Sequence, residues 1–224
     1  MSRSRIARLA GALAAALAVA ASASPALACT RGYSYAGLYS SSPAFGVAAS
    51  LSMLAPPSVD GGHVAAWVGV GGPGLGPRGT DEWLQVGLAS FAGSPETRLY
   101  YELALPGQAP RYVELASGIR PGEVVRVGLL ELPFAPGTWI VVTPQGLAGP
   151  FYLPPAPAPW APVATAESWT PAGSLCNGYS YRFGDVQLAG HDGGWKPLRR
   201  AHKLQDRGAL VRRSSRSTFT ARAA

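Results

Sequence analysis

Glycine and proline recur so densely along this chain, 28 and 21 of its 224 residues, that no helical period survives past the N-terminal segment. Proline removes a backbone donor and clashes with the preceding helical turn, and a glycine inside a helix costs about 1 kcal/mol relative to alanine. Between these breakers lie short runs rich in β-branched and aromatic residues, which read as strands. The runs are 34–38, 45–54, 64–70, 83–88, 99–105, 112–115, 123–130, 138–143, 163–169 and 179–188. Turn clusters such as Pro56-Pro57, the glycine-rich stretch 71–79, Pro106-Gly107, Pro121-Gly122 and Pro136-Gly137 separate them. Ten short strands at hairpin-like spacing predict an all-β fold, a sandwich of two antiparallel sheets. The proline-rich run 154–162 reads as a long crossover within one domain, because the chain beyond it is too short to fold alone.

The N-terminus carries Arg3, Arg5 and Arg8, then an apolar stretch, then Ala26-Leu27-Ala28. That is the pattern of a secretory signal peptide cleaved after Ala28. Its apolar run is too short to span a bilayer, and no later segment approaches the roughly twenty apolar residues a transmembrane helix needs. The expected product is a secreted, soluble monomer. The formal charge of +7 is unevenly spread. Residues 199–224 hold 8 basic residues against Asp206 alone, whereas residues 29–198 hold 8 basic and 11 acidic ones. A folded part of net charge −3 offers no basic face for nucleic acid. The domain is therefore drawn as residues 29–198, with 199–224 read as a basic, disordered tail that could bind a cell wall or phosphates. Two cysteines, Cys29 and Cys176, favour a disulfide in an exported chain. Lipid attachment at Cys29, directly after the signal peptide, is the alternative.

Side chains alternate faces along a strand, so each run assigns its residues to two sides. In 83–88, Leu84, Val86 and Leu88 face the core and leave Trp83, Gln85 and Gly87 on the other side. The same rule groups Tyr100 with Glu102, and Thr165 with Glu167 and Trp169. Aromatic rings beside single polar groups thus recur on one face. On a curved sheet they would line a groove.

These residues resemble the glutamic peptidases, acid-active endopeptidases with a concanavalin A-like β-sandwich. Ser34-Tyr35-Ala36-Gly37, Ala66-Trp67-Val68-Gly69-Val70, Leu84-Gln85-Val86-Gly87-Leu88, Tyr100-Tyr101-Glu102-Leu103, Ser117-Gly118-Ile119 with Pro121-Gly122-Glu123, and Ala166-Glu167-Ser168-Trp169 are similar to that family's motifs and keep their order. The resemblance implies Glu167 as general base toward a water and Gln85 as the amide that holds the water and the developing oxyanion. It implies a polypeptide substrate bound among Trp67, Trp83, Tyr100, Glu102 and Trp169, with no cofactor and no metal. The chain departs from the family at Gly71 and Arg98, where acids are expected, at Ala104, where an aromatic is expected, and at Ser168, which separates Glu167 from Trp169.

Other readings stay open. Gln85 and Glu167 can be ordinary solvated or ion-paired side chains, Glu102 structural, and Trp67, Trp83 and Trp139 plain core. A noncatalytic, lectin-like module would stack Trp83, Tyr100 and Trp169 on the sugar rings of a glycan. An inactive structural protein of the cell exterior is a third possibility. The histidines His63, His191 and His202 lack zinc-ligand spacing, and no Gly-x-Ser-x-Gly elbow or phosphate loop occurs, although a serine triad built on His63 or His191 is conceivable.

Overall fold

The computed structural model describes residue 29, residues 31–153 and residues 160–223; the signal-peptide reading and most of the 154–162 run lie outside them. Among the described residues there are sixteen strands, one 3-10 turn at Pro77–Gly79 and no α-helix. They form two sheets whose strand pairs are all antiparallel. The first runs through β14 (His202–Gln205), β1 (Gly32–Tyr39), β11 (Pro162–Thr170), β4 (His63–Gly72), β5 (Glu82–Phe91), β6 (Thr97–Ala104) and β7 (Arg111–Ile119). The second runs through β10 (Gly146–Tyr152), β9 (Thr138–Thr143), β8 (Val125–Glu131), β2 (Gly46–Met53), β12 (Asn177–Ala189), β16 (Phe219–Ala223) and β15 (Ala209–Arg213). The short strands β3 (Ser58–Val59) and β13 (Trp195–Pro197) also pair with β12.

Alternation explains how the two sheets close on each other. Val64, Ala66, Val68 and Val70 of β4, and Leu84, Val86 and Leu88 of β5, meet Val47, Ala49 and Leu51 of β2 and Tyr181 and Phe183 of β12 in one buried core. Each fully buried Val, Leu or Phe side chain is worth about 1.5–3 kcal/mol against exposure, so this inner layer is the main force holding the sandwich. Trp139 is fully buried in it, as a core reading of that residue requires. Since β10 belongs to one sheet and β11 to the other, the proline-rich run joins the two sheets.

All ten strands expected from the sequence are present. The reading of 199–224 as a disordered tail is corrected. Three strands form there: β14 extends the first sheet against β1, and β16 and β15 extend the second beyond β12. Val211, Phe219, Ala221 and Ala223 point into the core while Arg212 and Arg222 face water. The two Gly-Tyr-Ser-Tyr stretches of the chain, 32–35 and 178–181, lie on strands of different sheets and are not paired. Tyr33 is exposed on β1 of one sheet, whereas Tyr179 and Tyr181 are buried on β12 of the other. Cys29 and Cys176 are joined by a disulfide, which leaves no thiol for lipid attachment at Cys29. No helix among the described residues is long and apolar enough to cross a membrane.

Candidate active site

The outer face of the first sheet repeats across β1, β11, β4, β5 and β6 in register. Tyr33, Trp169, His63 and Phe91 form one row, and Tyr35, Glu167, Ala65 and Ala89 the next. Gly37, Thr165, Trp67, Gly87 and Tyr100 form a third, and Tyr39, Val163, Gly69, Gln85 and Glu102 a fourth. This face is far from water-washed. Ala65, Trp67, Ala89, Tyr100 and Val163 make a second buried cluster, and Leu75 from the loop after β4 packs against it. Gln85 and Glu167 are 5% and 6% exposed. An outward face this deeply buried is a hollow whose side chains cover one another.

Glycines make room for it. A Cβ on Gly87 would come within 2.6 Å of the Trp67 Cα and 2.7 Å of its Cβ, so only glycine lets β5 approach β4 this closely beside Trp67. A side chain on Gly37 would in the same way strike Thr165.

Each polar group has an aromatic or histidine partner. The Trp67 Nε1–H donates to Glu167 Oε2 at 2.9 Å, and His63 Nε2 lies 3.2 Å from Glu167 Oε1. The Gln85 Nε2–H donates to the Tyr100 hydroxyl at 3.1 Å, and Trp83 Nε1–H donates to Glu102 Oε1 at 2.9 Å. A hollow of about 60 Å³ is lined by Tyr33, Tyr35, His63, Trp67, Trp83, Gln85, Glu102 and Glu167, together with Pro73. That is room for a few waters. A smaller hollow of about 30 Å³ continues from it past His63, Glu102 and Glu167 to Tyr100 and Tyr112.

The electrostatics follow from burial. Desolvation pushes the Glu102 carboxyl above its ordinary value and the charge of Glu167 adds to the rise, while the Trp83 N–H and His63 oppose it. Tyr33 and Tyr35 are raised by burial first and by Glu167 second, and Tyr100 is raised well above its ordinary value for the same reasons. These phenols therefore stay protonated and available as donors. Among the described residues, no group of three His, Cys, Asp or Glu side chains could hold a metal ion.

The residues singled out in the sequence divide in two. Gln85, Glu167, Trp67, Trp83 and Glu102 border one hollow; Gln85 and Glu167 are diagonal neighbours of Trp67 on its opposite sides. Tyr100 accepts a hydrogen bond from Gln85 and borders the smaller hollow, and Trp169 stacks on His63 with centroids 5.9 Å apart. Trp67 and Tyr100, each 2% exposed, support polar groups and offer little surface for stacking a guest. Sequence reasoning missed three contributors. His63, Tyr33 and Tyr35 reach the site only through the pairing of β1, β11 and β4; Tyr35 stood in one of the motifs similar to the family's, but nothing in the sequence tied any of the three to Glu167. A larger hollow of about 250 Å³ lies on the second sheet, and Arg126 is its single charged residue.

No family model and no curated protein matches the chain in sequence. Solved structures do match its fold. Scytalido-glutamic peptidase, solved with a transition-state analogue inhibitor, superposes with a TM-score of 0.57 at 16% identity, covering 85% of this chain and 97% of that one. SCP-B, a member of the eqolisin family of peptidases solved with the tripeptide Ala-Ile-His, gives a TM-score of 0.53 at 15% identity with the same coverage. At such identity the likeness shows a shared fold, the two-sheet antiparallel sandwich of the glutamic peptidases.

Proposed function

We propose that this chain is an exported, glutamic-peptidase-like hydrolase that lays an extended polypeptide across the outer face of its first sheet and cleaves it at acid pH. The observation that carries this reading is that Gln85 and Glu167, on different strands, border one small, nearly buried hollow with room for water. In the proposed reaction Glu167 takes a proton from a water whose oxygen attacks the peptide carbonyl carbon. The carbonyl oxygen becomes an oxyanion, and the second Gln85 N–H, the one not given to Tyr100, donates to it. Collapse of the tetrahedral adduct breaks the C–N bond as the proton on Glu167 passes to the departing nitrogen. A neutral amide suits the oxyanion because it donates without competing for the proton. The carboxyl serves as base and then acid, and the acid working range is what the resemblance to the glutamic peptidases implies.

The test is hydrolysis of a denatured protein at about pH 3–5. Wild type is expected to cleave it, and Glu167→Gln and Gln85→Ala are expected to lose at least a hundredfold in kcat/KM. Cleavage that persists in Glu167→Gln, or an inert wild type at every pH, would overturn the proposal. An inert wild type that binds a polysaccharide would favour the lectin-like alternative.

A further inference from the structure

The strand opposite Glu167 carries His63, Ala65 and Trp67 on the face that bears the carboxylate. Ala65 is the direct register partner of Glu167, and its methyl group leaves space there. His63 and Trp67, two residues to either side, lean into that space, and each takes one carboxylate oxygen: Oε1 lies 3.2 Å from His63 Nε2, and Oε2 accepts from Trp67 Nε1–H at 2.9 Å. Two donors on two oxygens fix the plane of a carboxylate, which one donor cannot do.

The imidazole is itself held. Its ring stacks on Trp169, its register partner on β11, at 5.9 Å with 21° between planes. Phe91 lies at 5.8 Å on the other side, and Tyr33 meets it edge-on at 6.1 Å. Asn177 Nδ2 lies within hydrogen-bond distance of the backbone oxygens of both His63 and Trp169, so the strand ends that carry the pair are tied together as well.

We propose that His63 is a positioning residue for Glu167. With Trp67 it holds the carboxylate in the orientation from which one free lone pair faces the hollow. The proposal rests on the reading of Glu167 as the base, and it adds a requirement for a proton on His63 Nε2. The side chain of His63 is 22% exposed, so replacing it opens no deep cavity.

The experiment uses the mature protein and two variants. His63→Leu keeps apolar bulk against Trp169 and Phe91 but removes the donor; His63→Gln keeps a donor. His63→Leu is expected to lower kcat by about tenfold to a hundredfold with KM little changed, as a misplaced catalytic group does. His63→Gln is expected to recover most of that loss, a rescue that a purely packing role would not give. A second readout needs no catalysis: nitrogen-15 spectra of the His63 ring report which ring nitrogen holds the proton. Those signals should move in Glu167→Gln and stay in place in Gln85→Ala. Undiminished kcat in His63→Leu, or ring signals indifferent to Glu167→Gln, would each overturn the proposal. If wild type cleaves nothing, the peptidase reading falls by itself and the ring spectra alone decide whether His63 holds Glu167.

Discussion

Glu102 places a carboxyl on the wall of a hollow where burial and a second carboxylate both disfavour its ionised form. A carboxyl whose folded value lies above its unfolded one binds its proton more tightly in the native state, so its contribution to stability is full below the unfolded value. That contribution is lost as pH rises through the folded value. Urea midpoints measured between pH 4 and pH 7 should therefore carry a downward contribution from Glu102. Glu102→Gln, which keeps an acceptor for the Trp83 indole, should flatten the profile and be more stable than wild type at pH 7. Parallel profiles for the two proteins would refute this. The residue scale is also where sequence pattern reached furthest, because alternation alone put Gln85, Glu102 and Glu167 on the face opposite the core. It could not reach His63 or Asn177. Their roles come from register across strands far apart in the chain: Asn177, fully buried, accepts from the Asp60 and Gly61 N–H groups while its Nδ2 faces Ser168 Oγ at 3.0 Å.

Among the elements, β16 carries the clearest energetic consequence. Phe219 is fully buried and stacks on Phe183 of β12 with centroids 4.5 Å apart and planes 4° from parallel. Removing a buried phenylalanine typically costs 3–5 kcal/mol. Phe219→Ala should therefore lower the unfolding free energy by about that much in urea titration, whereas a truly disordered tail would show no change. The alternation that makes β16 a strand is present in Phe219-Thr220-Ala221-Arg222-Ala223. Two of its three inward positions are alanines and the surrounding segment is rich in arginine, so the alternation is too faint in the sequence to outweigh a composition that reads as disorder. β10 was hidden for another reason: it contains two glycines and Pro150. Such residues are tolerated because β10 is the edge strand of its sheet and its register shifts between Ala148 and Phe151. Among the ten strands read correctly, β5 (Leu84, Val86, Leu88) and β12 (Tyr179, Tyr181, Phe183) fill inward positions with large apolar side chains, whereas β11 presents Ala164 and Ala166 to the core.

For the molecule as a whole, the Cys29–Cys176 bridge spans 147 residues of sequence and encloses both Gln85 and Glu167, while β12 onward lies outside it. Closing a loop of that length withdraws on the order of 5 kcal/mol of conformational entropy from the unfolded chain, if the cross-link strains nothing when folded. Cys176 also precedes Asn177, and its own N–H faces Asp60 Oδ2 at 3.4 Å. The bridge therefore anchors the corner where the start of β4 and the end of β11 are tied together. Replacing both cysteines by serine should lower the unfolding free energy by about 3–5 kcal/mol. The same change should steepen the urea dependence, because an unfolded chain freed of a long loop exposes more surface to denaturant. Those two effects have different origins. A lower midpoint with an unchanged slope would assign the stabilisation to the native corner around Asn177, and an unchanged midpoint would show that the bridge contributes nothing. In the expected case both quantities move, and the folded double variant keeps the Gln85–Glu167 hollow, since the register that builds it is fixed by the pairing of β11, β4 and β5 and not by the cross-link.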